Sequence, residues 1–113
     1  MDTKQEKLEA ASKKAADFVS YLKSEHGLSV ARVYLFGSHA RGNTRKWSDV
    51  DVCIISPFFD TEDSLIYLWT RRRRGDVEAL IAPVGFTPEE FNAKFPSPLV
   101  AEIRKYGKEI PIA

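Results

Sequence analysis

The N-terminal part of the chain has apolar residues at helical spacing. Positions such as Leu8, Phe18 and Leu22 fall on one stripe of an amphipathic helix. Thr3 followed by a glutamate three residues later has the composition of a capping box, which predicts the helix start. Gly27 predicts the helix end, because glycine readily adopts the backbone conformation that closes a helix.

Two short, β-prone apolar runs follow this helix, at residues 31–36 and 50–55. Each run predicts a strand that lies in the core. The first strand leads directly into Gly37 and Ser38, and the polar residues 39–48 predict a loop before the second strand. Ser56 and Pro57 predict where the second strand ends.

The second half of the chain alternates helix and strand signals. A helix is predicted from Asp60 or Thr61 to the four arginines at 71–74, whose positive charges suit a helix C-terminus. These arginines could instead bind nucleic-acid phosphates, although no further basic stretch extends them. A third strand is predicted from Asp76 or Val77 to about Ala82, where the following proline would stop it.

The C-terminal residues predict two more helices and an extended tail. Thr87 and Pro88 followed by two glutamates form a strong helix start. Residues 98–106 predict a last helix that ends at Gly107, and residues 109–112 are expected to be extended. The order of elements predicts an α+β fold, a small mixed β-sheet flanked by helices in a single domain that spans residues 1–113.

Composition narrows the function classes. The 113 residues include 17 Lys or Arg and 16 Asp or Glu, and this net charge of +1 argues against a strongly basic nucleic-acid coat. No apolar run approaches the ~20 residues that cross a bilayer, and the polar N-terminus lacks a secretory signal. Cys53 is the only cysteine, so an internal disulfide is excluded. We therefore expect a cytoplasmic protein without a membrane partner.

Two aspartates, Asp49 and Asp51, lie two residues apart at the head of the second strand. The period of two in a strand points both side chains to the same face. Neighbouring carboxylates repel each other, and a divalent cation relieves that repulsion. Mg²⁺ prefers such oxygen ligands, often shared with phosphates, and Mn²⁺ accepts them too. The pair therefore predicts a metal site.

The end of the first strand has residues suited to phosphate. Gly37 allows the backbone to approach a bulky anion, and the N–H groups of such a turn can bind phosphate oxygens. Ser38 adds a hydroxyl, and Arg41 could pair with phosphate or brace the loop through a salt bridge. Trp47 is a candidate wall of the nucleotide pocket. Together with the aspartates, these residues predict a site for a nucleotide and a metal.

A third carboxylate would complete a two-metal site, which clamps the attacking and leaving oxygens of a displacement. Glu78 is the candidate on the predicted third strand, where it could bind the second metal or take the acceptor's proton. Asp76 would share its face and is the alternative.

Gly37 and Ser38, separated by ten residues from an Asp-x-Asp pair at Asp49 and Asp51, resemble the signature of the polymerase-beta-like nucleotidyltransferase superfamily. The chain is similar to its short prokaryotic branch, the minimal nucleotidyltransferases. The resemblance implies that Gly37 and Ser38 hold the triphosphate, that the aspartates bind Mg²⁺, and that Glu78 is the third acidic position. Many relatives have aspartate at that position.

This resemblance implies transfer of a nucleoside monophosphate, with AMP from ATP as the first expectation, to a hydroxyl acceptor. Minimal relatives are often encoded with a helical partner of the HEPN type. There they act as the antitoxin, and some add AMP to a tyrosine of that toxin. A binding subunit that covers such a partner is the alternative function. The small, aromatic-rich domain also suggests a homodimer.

Overall fold

The computed structural model describes residues 3–44 and 48–112, so Trp47 lies outside the described residues. Within them, helices and strands alternate along the chain. In order, the elements are α1 Lys4–His26, β1 Arg32–Phe36, α2 Ser38–Arg41, β2 Val50–Ile55, a 3₁₀ helix Pro57–Asp60, α3 Ser64–Thr70, α4 Arg74–Glu78, β3 Ile81–Phe86, α5 Pro88–Phe91, α6 Pro98–Tyr106 and β4 Lys108–Glu109.

The first helix is confirmed with its predicted ends. Thr3 is the N-cap, and its hydroxyl accepts a hydrogen bond from the Glu6 backbone N–H at 3.1 Å. Gly27 ends the helix in the left-handed conformation at φ 66°. The helix is 23 residues long, and its buried stripe includes Phe18 and Leu22, as the spacing predicts.

The four strands form one mixed sheet in the order β3-β2-β1-β4. The central pair, β1 and β2, is antiparallel, and β4 adds antiparallel to the other side of β1. In contrast, β2 and β3 are parallel, and the chain crosses between them through α3 and α4. The expected α+β class with a small mixed sheet and flanking helices is therefore confirmed.

Apolar side chains cover both faces of the sheet. On one face, α1 packs against alternate sheet residues such as Leu35 and Val52. On the other face, the alternate residues of β1 and β2 meet α5 and α6 in a second cluster: Tyr34, Phe36, Cys53, Ile55, Phe91, Val100 and Ile103. Strand alternation assigns Asp51 to this second face, because Cys53 and Ile55 lie on it. No helix among the described residues is long and apolar enough to cross a membrane.

The predicted third strand is wrong in position. Residues 76–78 belong to α4, and the strand runs from 81 to 86. Arg73 is the N-cap of α4. The backbone N–H and the guanidinium of Arg73 both donate hydrogen bonds to the Asp76 carboxylate. Leu80 adopts a left-handed conformation at φ 63° before the strand begins. Pro83 does not stop the strand, because β3 is an edge strand and a missing N–H is tolerated on its outer side.

Two further sequence expectations are corrected around the second strand. The next helix begins after Asp63, whose carboxylate accepts from the Ile66 N–H, and not at Asp60 or Thr61. Those residues are taken up by the 3₁₀ helix that Ser56 caps. Residues 38–41 form the short helix α2 in the stretch that the sequence predicted as loop. The starts of α5 at Thr87 and α6 at Pro98 are confirmed.

Side chains of α3 and the residue just after its C-cap cover the outer edge of β3. Ser64 donates to the Gly85 carbonyl at 3.0 Å, and the Trp69 indole donates to the Pro83 carbonyl at 2.8 Å. Arg72 donates to the Ile81 carbonyl at 3.2 Å and stacks over Trp69. These bonds satisfy carbonyls that would otherwise invite a strand from another chain.

The other arginines of this run also make contacts within the chain. Arg71 donates to the Tyr67 carbonyl, Arg73 pairs with Asp17 and Asp76, and Arg74 pairs with Glu78. The prediction that all four arginines end one helix is wrong for the last two, because α3 ends at its C-cap Arg71, whereas Arg73 caps α4 and Arg74 begins it.

We expect Trp69→Phe to lower the free energy of unfolding by about 1 kcal/mol, because the Pro83 carbonyl loses its donor while the aromatic ring is kept. Urea denaturation measures the change. Ile66→Ala is the control, since Ile66 is 64% exposed and its truncation is expected to cost within about 0.5 kcal/mol. Equal losses in both variants would contradict the role of the indole hydrogen bond.

Candidate nucleotide site

Gly37 ends β1 in a conformation that other residues avoid, at φ 73° and ψ −151°. In the sheet register, Phe36 lies opposite Asp51. This places the Asp51 carboxylate so close to Gly37 that a β-carbon added there would overlap Oδ2. The glycine is therefore required twice, once by its backbone conformation and once by the carboxylate that packs against its Cα.

The residues after Gly37 turn at once into α2. Gly37 itself is the N-cap and offers no side-chain hydrogen bond to the helix. The Arg41 N–H returns to the Gly37 carbonyl at 3.1 Å, which leaves the first N–H groups of the turn without helical partners. The predicted phosphate residues Gly37 and Ser38 thus present backbone donors next to Asp51.

Asp51 is half-buried, whereas Asp49 just before β2 is exposed. The pKa of the Asp51 carboxyl is raised from 3.8 to about 6, chiefly by burial and to a lesser extent by the negative charges of Asp49 and then Glu102. The two aspartates are therefore electrostatic neighbours, as the sequence predicted. A buried carboxylate with a raised pKa beside a second carboxylate is a donor set that suits a divalent cation.

Glu102 is the residue that sequence reasoning missed. It lies on α6, half-buried beside Ile103, and its charge acts on Asp51. The available signal was the face of α6 defined by Val100 and Ile103, which pack on the sheet. Glu102 lies at the border of that face. Its proximity to Asp51 becomes visible only once α6 is known to pack on the same face of the sheet as Asp51.

The structure does not bring Glu78 to the aspartates. Glu78 is exposed on α4 and pairs with Arg74 at 3.0 Å. Asp76, the alternative, is buried and bound to Arg73. Among residues 3–44 and 48–112, no group of three or more His, Cys, Asp or Glu side chains is arranged to hold a metal ion.

This placement follows from the error in the third strand, because α4 replaces the strand on which Glu78 was expected. On the actual β3, the residue paired with Asp51 is Ala82. That neighbouring strand position has no carboxylate to offer the aspartates.

Arg41 lies at the C-terminal end of α2, exposed to solvent. Its guanidinium stacks over the Tyr106 ring at 4.2 Å from the centroid. Every other arginine among the described residues donates a side-chain hydrogen bond. Arg41 forms no salt bridge with any described residue, so the ion pair that could have braced the loop is not seen there.

His39 connects α2 to the segment before Asp49. Burial lowers the pKa of His39, while a hydrogen bond to the Ser48 backbone acts in the opposite direction. The nearby Lys14 and Lys7 of α1 lower this pKa further. The imidazole thus connects α2 to the segment before Asp49, and two lysines of α1 bring positive charge near it.

Comparison with known proteins identifies a family for the chain and a similar fold. Residues 15–108 match the family model described as "Nucleotidyltransferase domain". Among solved structures, the fold is similar to a putative nucleotidyltransferase from Sulfolobus solfataricus, with a TM-score of 0.60 and 23% identity over 80% of this chain and 78% of that chain. No curated protein matches the sequence significantly.

The solved structure supports the fold, and the family model covers most of the sequence, including every residue of the Gly-Ser and Asp-x-Asp motifs. The chain therefore belongs to the nucleotidyltransferase domain family.

Proposed function

We propose that this protein transfers a nucleoside monophosphate, AMP from ATP, to a hydroxyl acceptor and releases pyrophosphate. The observation that carries the proposal is the Asp51 carboxylate packed against Gly37, at the start of the turn that contains Ser38. A carboxylate and a set of backbone donors side by side suit a triphosphate with its cation. Membership of the nucleotidyltransferase domain family supports the same reaction class.

In this proposal Gly37 and Ser38 bind the phosphates through backbone N–H groups and the hydroxyl, and Arg41 contributes positive charge. Asp49 and Asp51 would hold Mg²⁺ or Mn²⁺. When bound, the cation would polarise a phosphate oxygen and offset the charge that develops in transfer. The raised pKa of Asp51 means that a nearby cation would favour its ionised form, because the positive charge offsets burial and the repulsion from Asp49.

The acceptor approaches from the side of Asp49, which is the exposed carboxylate of the pair. Glu78 has no part in this proposal, since it lies on α4 with Arg74 as its partner. We propose a tyrosine hydroxyl of a helical HEPN-type partner as the acceptor, on the strength of the family resemblance. Co-expression followed by mass spectrometry tests it: the partner should gain one AMP unit, and only with both aspartates intact.

A second candidate function is a binding subunit, either an antitoxin that covers a helical partner or one half of a homodimer. Apolar side chains exposed around α3 favour it, with Leu65 54% and Ile66 64% exposed beside Phe58 and Trp69. If covering the partner is sufficient, the Asp49→Asn/Asp51→Asn variant will still block toxicity. Light scattering of the isolated chain separately tests the homodimer.

We expect ATP to bind the wild type in the presence of Mg²⁺ and the Asp49→Asn/Asp51→Asn variant about tenfold more weakly or worse. The reason is that the variant cannot hold the cation that the triphosphate shares. Isothermal calorimetry with and without Mg²⁺ measures both affinities.

Glu78→Gln is the matched control for that titration, because it removes one carboxylate from α4 and should leave the affinity unchanged. Wild-type affinity in the double aspartate variant, or an equal loss in the Glu78 variant, would contradict the assignment of the site.

We expect Asp51→Asn to stabilise the metal-free protein above pH 6. The folded pKa of Asp51 is about 6 against 3.8 for the unfolded chain, so its stabilising contribution is present below pH 3.8 and is lost as the pH rises through 6. The melting temperature of the variant should exceed that of the wild type at pH 8 and approach it at pH 4. A difference that does not change with pH would be the contrary result.

A further inference from the structure

A cleft of about 470 Å³ lies between the C-terminal ends of α2 and α6. Six residues line it: Ala40, Arg41, Lys105, Tyr106, Gly107 and Lys108. Three of the six carry a positive charge, and no lining residue is acidic. The proposed function assigns only Arg41 from this group, so the rest of the cleft has no role yet.

The cations of the cleft have no carboxylate partner among the described residues. Ion pairs within 4 Å are formed instead by Arg32, Arg73 and Arg74 elsewhere on the surface. Lys105 and Lys108 are exposed, like Arg41. Positive charges that face one cleft without compensation repel each other, and a bound anion removes that repulsion.

The Tyr106 ring holds two of these charges in place. The Arg41 guanidinium lies 4.2 Å from the ring centroid, and the Lys105 ammonium lies 5.2 Å from it. Cation–π contacts of this kind restrict where the charged groups can go. The ring is 42% exposed, so one part of it supports the cations and another part faces the cleft.

The cleft lies near the proposed nucleotide site and shares Arg41 with it. Ser38 and Arg41 are the two ends of α2, and a rise of about 1.5 Å per residue separates them by only about 4.5 Å along the helix. Lys108 begins β4, which pairs with β1 at Leu35, one residue before Phe36. Phe36 in turn pairs with Asp51 on its other side. The cleft and Asp51 therefore flank the same end of β1.

We propose that this cleft binds the terminal phosphates of the nucleoside triphosphate, with Lys105 and Lys108 joining Arg41 as ligands of the pyrophosphoryl group. The inference rests on the proposed function and adds to it a means of selecting triphosphates over monophosphates. A compact, multiply charged anion suits a cleft of this size with three cations. An extended polyanion suits it less, because the arginines at 71–74 contact the protein itself and extend no basic surface.

The test compares ATP, AMP and inorganic pyrophosphate in calorimetric titrations with Mg²⁺ on the full chain. Lys105→Gln/Lys108→Gln should weaken ATP and pyrophosphate binding about tenfold and leave AMP binding unchanged, because AMP lacks the phosphates that reach the cleft. Pyrophosphate should compete with ATP for the wild type.

Lys13→Gln/Lys94→Gln is the charge-matched control, since both lysines are exposed and do not line the cleft. It should bind all three ligands like the wild type. An equal loss for ATP and AMP, an equal loss in the control variant, or simultaneous binding of pyrophosphate and ATP would overturn the inference while leaving the proposed function intact. Failure of the wild type to bind ATP with Mg²⁺ would instead contradict the proposed function.

Discussion

The Asp51 carboxylate packs directly against the Cα of Gly37, and the arrangement of the site depends on this contact. The antiparallel register of β1 and β2 sets Asp51 opposite Phe36. The residue after Phe36, Gly37, then has no room for a side chain where the chain leaves the sheet. Its positive φ starts the turn into α2, so the same glycine positions the backbone donors of that turn. The sheet register, the position of the Asp51 carboxylate and the turn into α2 are therefore linked through this one close approach. The raised pKa of Asp51 follows from it, because the carboxylate is enclosed by backbone and strand.

The second face of the sheet explains why α6 contributes to the site although it lies far away in sequence. Val100 and Ile103 anchor α6 against the β1 and β2 residues of the Asp51 face. The same helix then carries Glu102 into the field of Asp51 and Tyr106 under Arg41. One wall of the site is therefore acidic near the start of β2 and basic beyond α2. This polarity fits a bound nucleotide whose cation and phosphate tail occupy different ends.

Local sequence signals were sufficient to locate the helix with recognisable capping residues and the strands with continuous apolar runs. The Thr3 and Gly27 signals located α1, and the apolar runs located β1 and β2 together with the motif between them. The third strand was misplaced because Pro83 was read as a terminator, which holds in a central strand and fails at a sheet edge. The consequence was functional as well as structural: Glu78 appeared to face the aspartates, whereas α4 carries it to the surface with Arg74. Glu102 could not be found, because its proximity to Asp51 is set by tertiary packing alone.

Titration of ATP and Mg²⁺ into Gly37→Ala tests the central claim most directly, because this variant keeps every ionisable group while its β-carbon strains the turn at Gly37 and overlaps the Asp51 carboxylate. We expect the affinity to fall about tenfold or more while the chain still unfolds cooperatively. Gly75→Ala is the control, since a β-carbon there meets nothing within 4 Å, and it should bind like the wild type. Wild-type affinity in a folded Gly37→Ala variant would contradict the account, because the site would then not depend on the contact between Gly37 and Asp51.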